Sequence, residues 1–207
     1  MTQVATRVLF LPGAGGSAEF WRPVASALPD AWPKEHFGWP GLGDQPHDPA
    51  VTGLDDLVAM VAAKMDGPVD LVAQSMGGVI AARLALEKPA LVRRLVLCAT
   101  SGGVDMTGLG AADWRESYRK NFPQAAGWIT AARSSPSLPV ERIAAPTLLI
   151  WGDADPISPL AVGEHLAARL PDARLEVVAG GDHDLARVHA GHVARLIARH
   201  LGYGGKS

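Results

Sequence analysis

The sequence predicts an α/β architecture: a mostly parallel sheet of about six strands with helices on both faces. Three observations point there. Short apolar runs alternate with helical patterns along the chain, as in βα-repeating sheets. Turn-forming residues punctuate the alternation. No internal repeat or linker interrupts it, and 207 residues suit one domain, 1–207.

Taken in order, strands are expected at Arg7–Leu11, Glu35–Gly38, Val69–Ala73, Leu91–Cys98, Thr147–Trp151 and Leu175–Val178. Helices are expected near Ala18–Leu28, Leu54–Met65, Met76–Glu87, Leu160–Leu170 and Leu185–Leu201. Right-handed crossovers would put the helices on both faces and gather the strand C-termini at one edge. Sites in such sheets lie at that edge, so the loops following strands carry the interest.

One connection breaks the rhythm. About 45 residues, Thr100–Ala145, separate two strands, where one helix suffices elsewhere. Trp114, Tyr118 and Phe122 recur there at i, i+4 and i+8, while Arg115, Glu116, Arg119 and Lys120 face elsewhere. The pattern predicts a short amphipathic helical cap, a lid insertion over 100–145. Plain sealing of the core by the same aromatics is the alternative. The glycine-rich tail, 202–207, is expected to fray.

Composition narrows the function classes. With 19 Lys and Arg against 21 Asp and Glu, the formal charge is −2, which does not favour nucleic acid as a partner. Apolar residues make up 48% and mean hydropathy is +0.11, enough for one sizeable core. No apolar run approaches the roughly 18 residues of a membrane span. Cys98 is the lone cysteine, and the N-terminus has no charged region followed by an apolar run, so a cytoplasmic protein without disulfides is expected. Cys98 reads as a small core residue at a strand end, a reactive thiol being the alternative. His189 and His192 lie three apart on the last expected helix without a carboxylate or cysteine at ligand spacing, so no metal site is expected. Arg93 and Arg94, at a strand start, read as solvated surface.

The chemistry-bearing segment is Val69-Asp-Leu-Val-Ala-Gln-Ser-Met-Gly-Gly78. A strand ends, Ser75 follows, and glycines open a helix. The segment resembles a nucleophile elbow, a turn that forces its serine into a strained backbone and needs small neighbours two residues either side, here Ala73 and Gly77. The turn lifts the hydroxyl beyond the sheet edge and aims the first helical N–H groups at the same point, so a nucleophile and half an anion site arrive together. A serine that merely N-caps the helix is the alternative. The glycine-rich Phe10-Leu-Pro-Gly-Ala-Gly-Gly-Ser17 follows the first strand. By itself it could cradle a phosphate, although the spacing of a dinucleotide loop and a terminal Gly-Lys-Ser/Thr are both absent.

Together these motifs resemble the α/β-hydrolase superfamily. The Ser75 segment is similar to its nucleophile elbow, with Ala73 where glycine is commoner. Residues 10–17 resemble its oxyanion loop, with Pro12-Gly13 where His-Gly is usual. Pro12 keeps the backbone N–H of Ala14 available but removes a side chain that braces the loop. Leu149-Ile-Trp-Gly-Asp-Ala-Asp-Pro156 ends a strand where the family keeps its acid, which points to Asp155. Gly180-Gly-Asp-His-Asp-Leu185 stands at the place of the catalytic histidine, His183. The order Ser75, Asp155, His183 is the family's. Trp39-Pro-Gly-Leu-Gly-Asp44 resembles a structural turn after the family's second parallel strand. The stretches Ser75–Gly78 and Arg93–Thr100 are similar to enol-lactone hydrolases and non-haem haloperoxidase-like esterases, and the whole to small single-domain carboxylesterases.

The resemblance implies a three-layer α/β-hydrolase fold, here lacking the usual N-terminal hairpin, since the oxyanion loop comes by residue 12. It also implies a serine hydrolase cleaving a small carboxylic ester, lactone or thioester through an acyl-enzyme on Ser75. His183 would be the base and Asp155 its orienting acid. The N–H groups of Ala14 and Met76 would hold the oxyanion, and no cofactor or metal would be needed. Gly15, Gly102 and Trp114 are expected to line the substrate pocket. The same scaffold could instead run an elimination or carbon–carbon cleavage, or bind a ligand without turnover.

Overall fold

The structure, a computed structural model, describes residues 6–131 and 137–202. Six parallel strands form one sheet in the order β2-β1-β3-β4-β5-β6. They are β1 (Arg7–Leu11), β2 (Lys34–His36), β3 (Val69–Gln74), β4 (Val92–Cys98), β5 (Thr147–Gly152) and β6 (Ala173–Val178). The helices are α1 (Arg22–Ala25), α2 (Leu54–Ala62), α3 (Met76–Glu87), α4 (Arg115–Asn121), α5 (Trp128–Ala131), α6 (Leu160–Arg169), α7 (Leu185–Val188) and α8 (Ala190–Leu201), with a 3-10 turn at Val140–Arg142.

Alternation along each strand splits the core in two. Leu9, Leu11, Leu71, Ala73, Leu95, Leu97, Leu149 and Trp151 face the side covered by α2, α3 and α6. Val8, Phe10, Val72, Val96, Cys98, Leu148 and Ile150 face the side covered by α1, α7 and α8. A period of two with both faces apolar is what a parallel sheet buried between helix layers requires. The chain runs from β1 outward to β2 and then returns to the other side of β1 for β3. The crossovers therefore diverge between the C-terminal ends of β1 and β3, where open α/β sheets keep their crevice.

Several expectations are corrected. The first expected helix, Ala18–Leu28, shrinks to Arg22–Ala25, because successive turns occupy Ser17–Trp21 and Pro29 follows closely. The last is two helices: His189, at φ −108° and ψ 32°, ends α7 and begins α8, so His189 and His192 do not share one helix. Arg93 is half-buried rather than plain solvated surface. Its guanidinium pairs with Asp70, which is 2% exposed, and donates to the Leu201 carbonyl at 3.1 Å. Burial pushes the Asp70 carboxyl up while the Arg93 hydrogen bond and charge oppose it. Pro159 is the residue that precedes the first turn of α6. The tail from 203 onward and residues 132–136 of the 100–145 connection lie outside the described residues. No described helix is long and apolar enough to cross a membrane.

Candidate active site

Ser75 sits between β3 and α3 with φ 52° and ψ −123°, a conformation that costs a non-glycine residue of order 1–3 kcal/mol. Its surroundings impose it. The Ser75 N–H donates to the Cys98 carbonyl at 3.1 Å, its carbonyl accepts from Gly78 N–H at 2.9 Å, and the Thr100 hydroxyl donates to the same carbonyl. A Cβ on Gly77 would lie 2.5 Å from the Pro12 carbonyl oxygen and 2.6 Å from that of Leu11. The elbow and the loop after β1 are therefore in backbone contact, which only a glycine at 77 permits.

The hydroxyl reaches a charge-relevant partner. Ser75 Oγ is 3.0 Å from His183 Nε2, and His183 Nδ1 is 2.8 Å from Asp155 Oδ2. His183 arrives on the loop between β6 and α7, and Asp155 on the loop between β5 and α6. The other Asp155 oxygen accepts from Ile157 N–H at 2.8 Å and Ser158 N–H at 3.0 Å. Its side chain has no exposure, whereas that of His183 keeps 20%. A carboxylate so held can fix the imidazole's orientation with Nδ1 protonated, leaving Nε2 to accept from the serine.

The two other candidate acids stand elsewhere. Asp153 is exposed and accepts from Gly180 N–H at 2.6 Å; Asp182 is exposed and accepts from Asp184 N–H at 2.9 Å. The His183 ring nitrogens are engaged by Asp155 and Ser75 instead.

Met76 opens α3, so its N–H has no acceptor one turn back. Ala14 lies at a turn closed by Gly16 N–H donating to the Gly13 carbonyl at 3.0 Å. Because the Gly13–Ala14 peptide is planar and trans, fixing that carbonyl also fixes the Ala14 N–H, which points the opposite way. A Cβ on Gly13 would lie 2.9 Å from Ser75 Cβ, so the turn abuts the candidate nucleophile. Pro12 does not leave this loop unbraced. Trp39, fully buried, donates from Nε1 to the Pro12 carbonyl at 2.8 Å and from its backbone N–H to the Gly16 carbonyl at 2.8 Å.

Of the expected pocket residues, Gly15 is exposed beside Gly43, and Trp114 is half-buried at the N-terminal end of α4 with Arg115 over its ring. Gly102 is turned inward: it is buried, its N–H donates to Thr100 Oγ1 at 2.9 Å, and a Cβ there would meet Leu166 at 3.2 Å. Cys98 is fully buried, and burial, aided by the Asp155 charge, pushes its thiol far up. It packs as a core residue.

Sequence reasoning missed three members of the frame. Gln74, 3% exposed, donates to the His183 carbonyl at 3.2 Å and so ties the elbow to the histidine loop. Ser158 accepts from Trp151 Nε1 and donates to the Thr100 carbonyl, both at 3.2 Å. Trp39, read as part of a structural turn, braces the oxyanion loop. The Trp39-Pro-Gly motif is the one signal that could have pointed to it.

Comparisons with known proteins bear on the fold and the family. A sequence model of the alpha/beta hydrolase family matches residues 8–134, and one described as TAP-like protein matches 112–206. A pimeloyl-[acyl-carrier protein] methyl ester esterase of Neisseria meningitidis is 27% identical over 242 residues, covering 95% of this chain and 93% of its own. A poly(3-hydroxyalkanoate) depolymerase of Ectopseudomonas oleovorans is 27% identical over 239 residues, covering 95% and 84%. Among solved structures, a hydrolase from Pseudomonas aeruginosa PA01 superposes with a TM-score of 0.79 at 21% identity, covering 96% of this chain and 91% of that one. With more than half of its length matched by the family's own sequence model, on a six-stranded parallel sheet of that fold, the chain belongs to the alpha/beta hydrolase family.

Proposed function

We propose that the protein is a serine esterase that cleaves a small carboxylic ester, with lactones and thioesters in the same reach, through an acyl-enzyme on Ser75. The carrying observation is the unbroken hydrogen-bonded chain from Ser75 Oγ through His183 to the buried Asp155 carboxylate. His183 Nε2 takes the hydroxyl proton as Ser75 attacks the ester carbonyl. The Ala14 and Met76 N–H groups receive the developing oxyanion. His183 returns the proton to the departing alkoxide; water then enters, gives its proton to His183, and releases the acid with Ser75 restored. Asp155 stays ionised throughout and stabilises the imidazolium.

The ester reading draws on two relatives whose names specify ester bonds: a methyl ester, and the backbone of a poly(3-hydroxyalkanoate). It is tested by steady-state turnover of p-nitrophenyl acyl esters of increasing length, methyl esters, a lactone and a thioester. Turnover of a carboxylic ester that disappears in Ser75→Ala supports the proposal. Turnover that survives in Ser75→Ala, or its absence from the whole panel, contradicts it.

A further inference from the structure

Around Ala14, the carbonyls of Pro12, Gly13, Ala14 and Gly16 are each engaged. Those of Pro12 and Gly16 accept from Trp39, that of Gly13 accepts from Gly16 N–H, and that of Ala14 accepts from the Tyr118 hydroxyl at 2.8 Å. Three of these bonds come from the loop or the turn after β2. The fourth comes from α4, 104 residues away in sequence.

We propose that the Tyr118 hydroxyl is a positioning residue for the oxyanion donor Ala14, and that through it the 100–145 connection sets the catalytic rate. This rests on the reading of Ser75 and Ala14 given above.

The hydroxyl is fully committed to the frame. It donates to the Ala14 carbonyl and accepts from the buried Gly43 N–H at 2.9 Å. A phenol has one proton to give, so none is left for a substrate, and the residue acts through Ala14. Tyr118 is 8% exposed, and burial holds its phenol above the ordinary value while the Gly43 N–H pulls the other way. It thus stays a donor at neutral pH.

The two contacts, one donated and one accepted, also clamp the loops together. Gly43 lies so near Gly15 that a Cβ on it would sit 2.1 Å from the Gly15 carbonyl oxygen, and its φ is +56°. One hydroxyl therefore pins both sides of a backbone-to-backbone contact at the loop.

Tyr118 is itself held. Trp114 meets its ring edge-on at 5.5 Å and Phe122 lies at 5.0 Å. The surrounding connection is stitched to other site loops, Ala126 N–H to the Gly41 carbonyl at 2.7 Å and Ala112 N–H to the Pro156 carbonyl at 2.8 Å. The aromatic stripe thus serves to aim one hydroxyl at the loop where histidine is replaced by Pro12.

The test is Tyr118→Phe, measured with p-nitrophenyl butyrate beside wild type, Ser75→Ala and Leu196→Val. The Leu196 variant thins the core under α8 and leaves the aromatic stripe and the hydroxyl intact. In Tyr118→Phe, kcat is expected to fall about tenfold with KM nearly unchanged, less than the roughly 10²–10³-fold lost with an oxyanion donor itself. Affinity for a trifluoromethyl ketone, which forms a tetrahedral adduct on the serine, should fall in parallel, while affinity for the product carboxylate holds. Leu196→Val should keep kcat at a comparable loss of Tm. An unchanged kcat in Tyr118→Phe, a rise in KM alone, or an equal kcat loss in Leu196→Val overturns the proposal. If Ser75→Ala retains turnover, the serine reading has failed instead, and the two failures are distinct.

Discussion

The Asp155 carboxylate divides its two oxygens between tasks: Oδ2 meets His183 Nδ1 at 2.8 Å, and Oδ1 accepts the N–H groups of Ile157 and Ser158. Backbone donors hold the acid still, so the imidazole inherits a fixed direction toward Ser75. Asp155→Asn keeps the size but can present an N–H to Nδ1, which favours the wrong tautomer. It should cost on the order of 10⁴ in kcat with the fold retained. Asp153→Asn and Asp182→Asn remove only loop contacts and should cost about tenfold or less. One assay on all three decides it; a crippled Asp153 or Asp182 variant would mean that the acid is misassigned.

Gly77→Ala sets two effects against each other. Alanine would gain about 1 kcal/mol of helix propensity, but its Cβ would press on the Pro12 and Leu11 carbonyl oxygens, and such overpacking typically costs about 1–3 kcal/mol. The clash is with backbone, which yields least, so a net loss of stability and of turnover is expected. Gly67→Ala, with nothing within 4 Å of the new atom, is the control. Equal Tm values for the two variants would refute the close contact at the elbow.

Stability has its own acid dependence. Burial first, then the nearby Arg22, lowers the pKa of His36; burial first, then Arg94, lowers that of His200. A lowered folded-state value means that the unfolded chain binds the proton first. Their stabilisation is complete above the ordinary histidine value of about 6.5 and is lost as pH falls from there toward the folded values. Thermal melts across that window should show Tm falling with pH, less steeply in His36→Asn/His200→Gln. An identical fall in the double variant would place the acid sensitivity elsewhere.

Trp114→Ala tests the role of the aromatic stripe in substrate choice. Trp114 is half-buried and packs on Tyr118. If it lines the cleft, the preferred acyl length among p-nitrophenyl esters shifts with little change in Tm. An unchanged profile with a large Tm loss would make it packing alone.

The strands and the Ser75, Asp155 and His183 positions are legible in the sequence because each depends on local pattern. Apolar runs mark β1, β3, β4 and β5, and each site residue lies on the turn that follows a strand. What is not legible depends on contacts far apart in the chain. Nothing near Arg93 announces Asp70, nothing near Trp39 announces Pro12, and the Tyr118 hydroxyl gives no sign of Ala14. The break at His189 also escapes, because apolar positions recur at helical spacing on both sides of it. Gly102 misleads for a related reason: a glycine after a strand reads as an open loop, whereas the Thr100 hydroxyl turns it inward toward Leu166.

The central claim, that Ser75 is the nucleophile, is met most directly by a fluorophosphonate probe followed by intact-mass and peptide mapping. One adduct per chain is expected, on Ser75, and none in Ser75→Ala. Labelling that persists in Ser75→Ala, or that maps to another serine in the wild type, would contradict it.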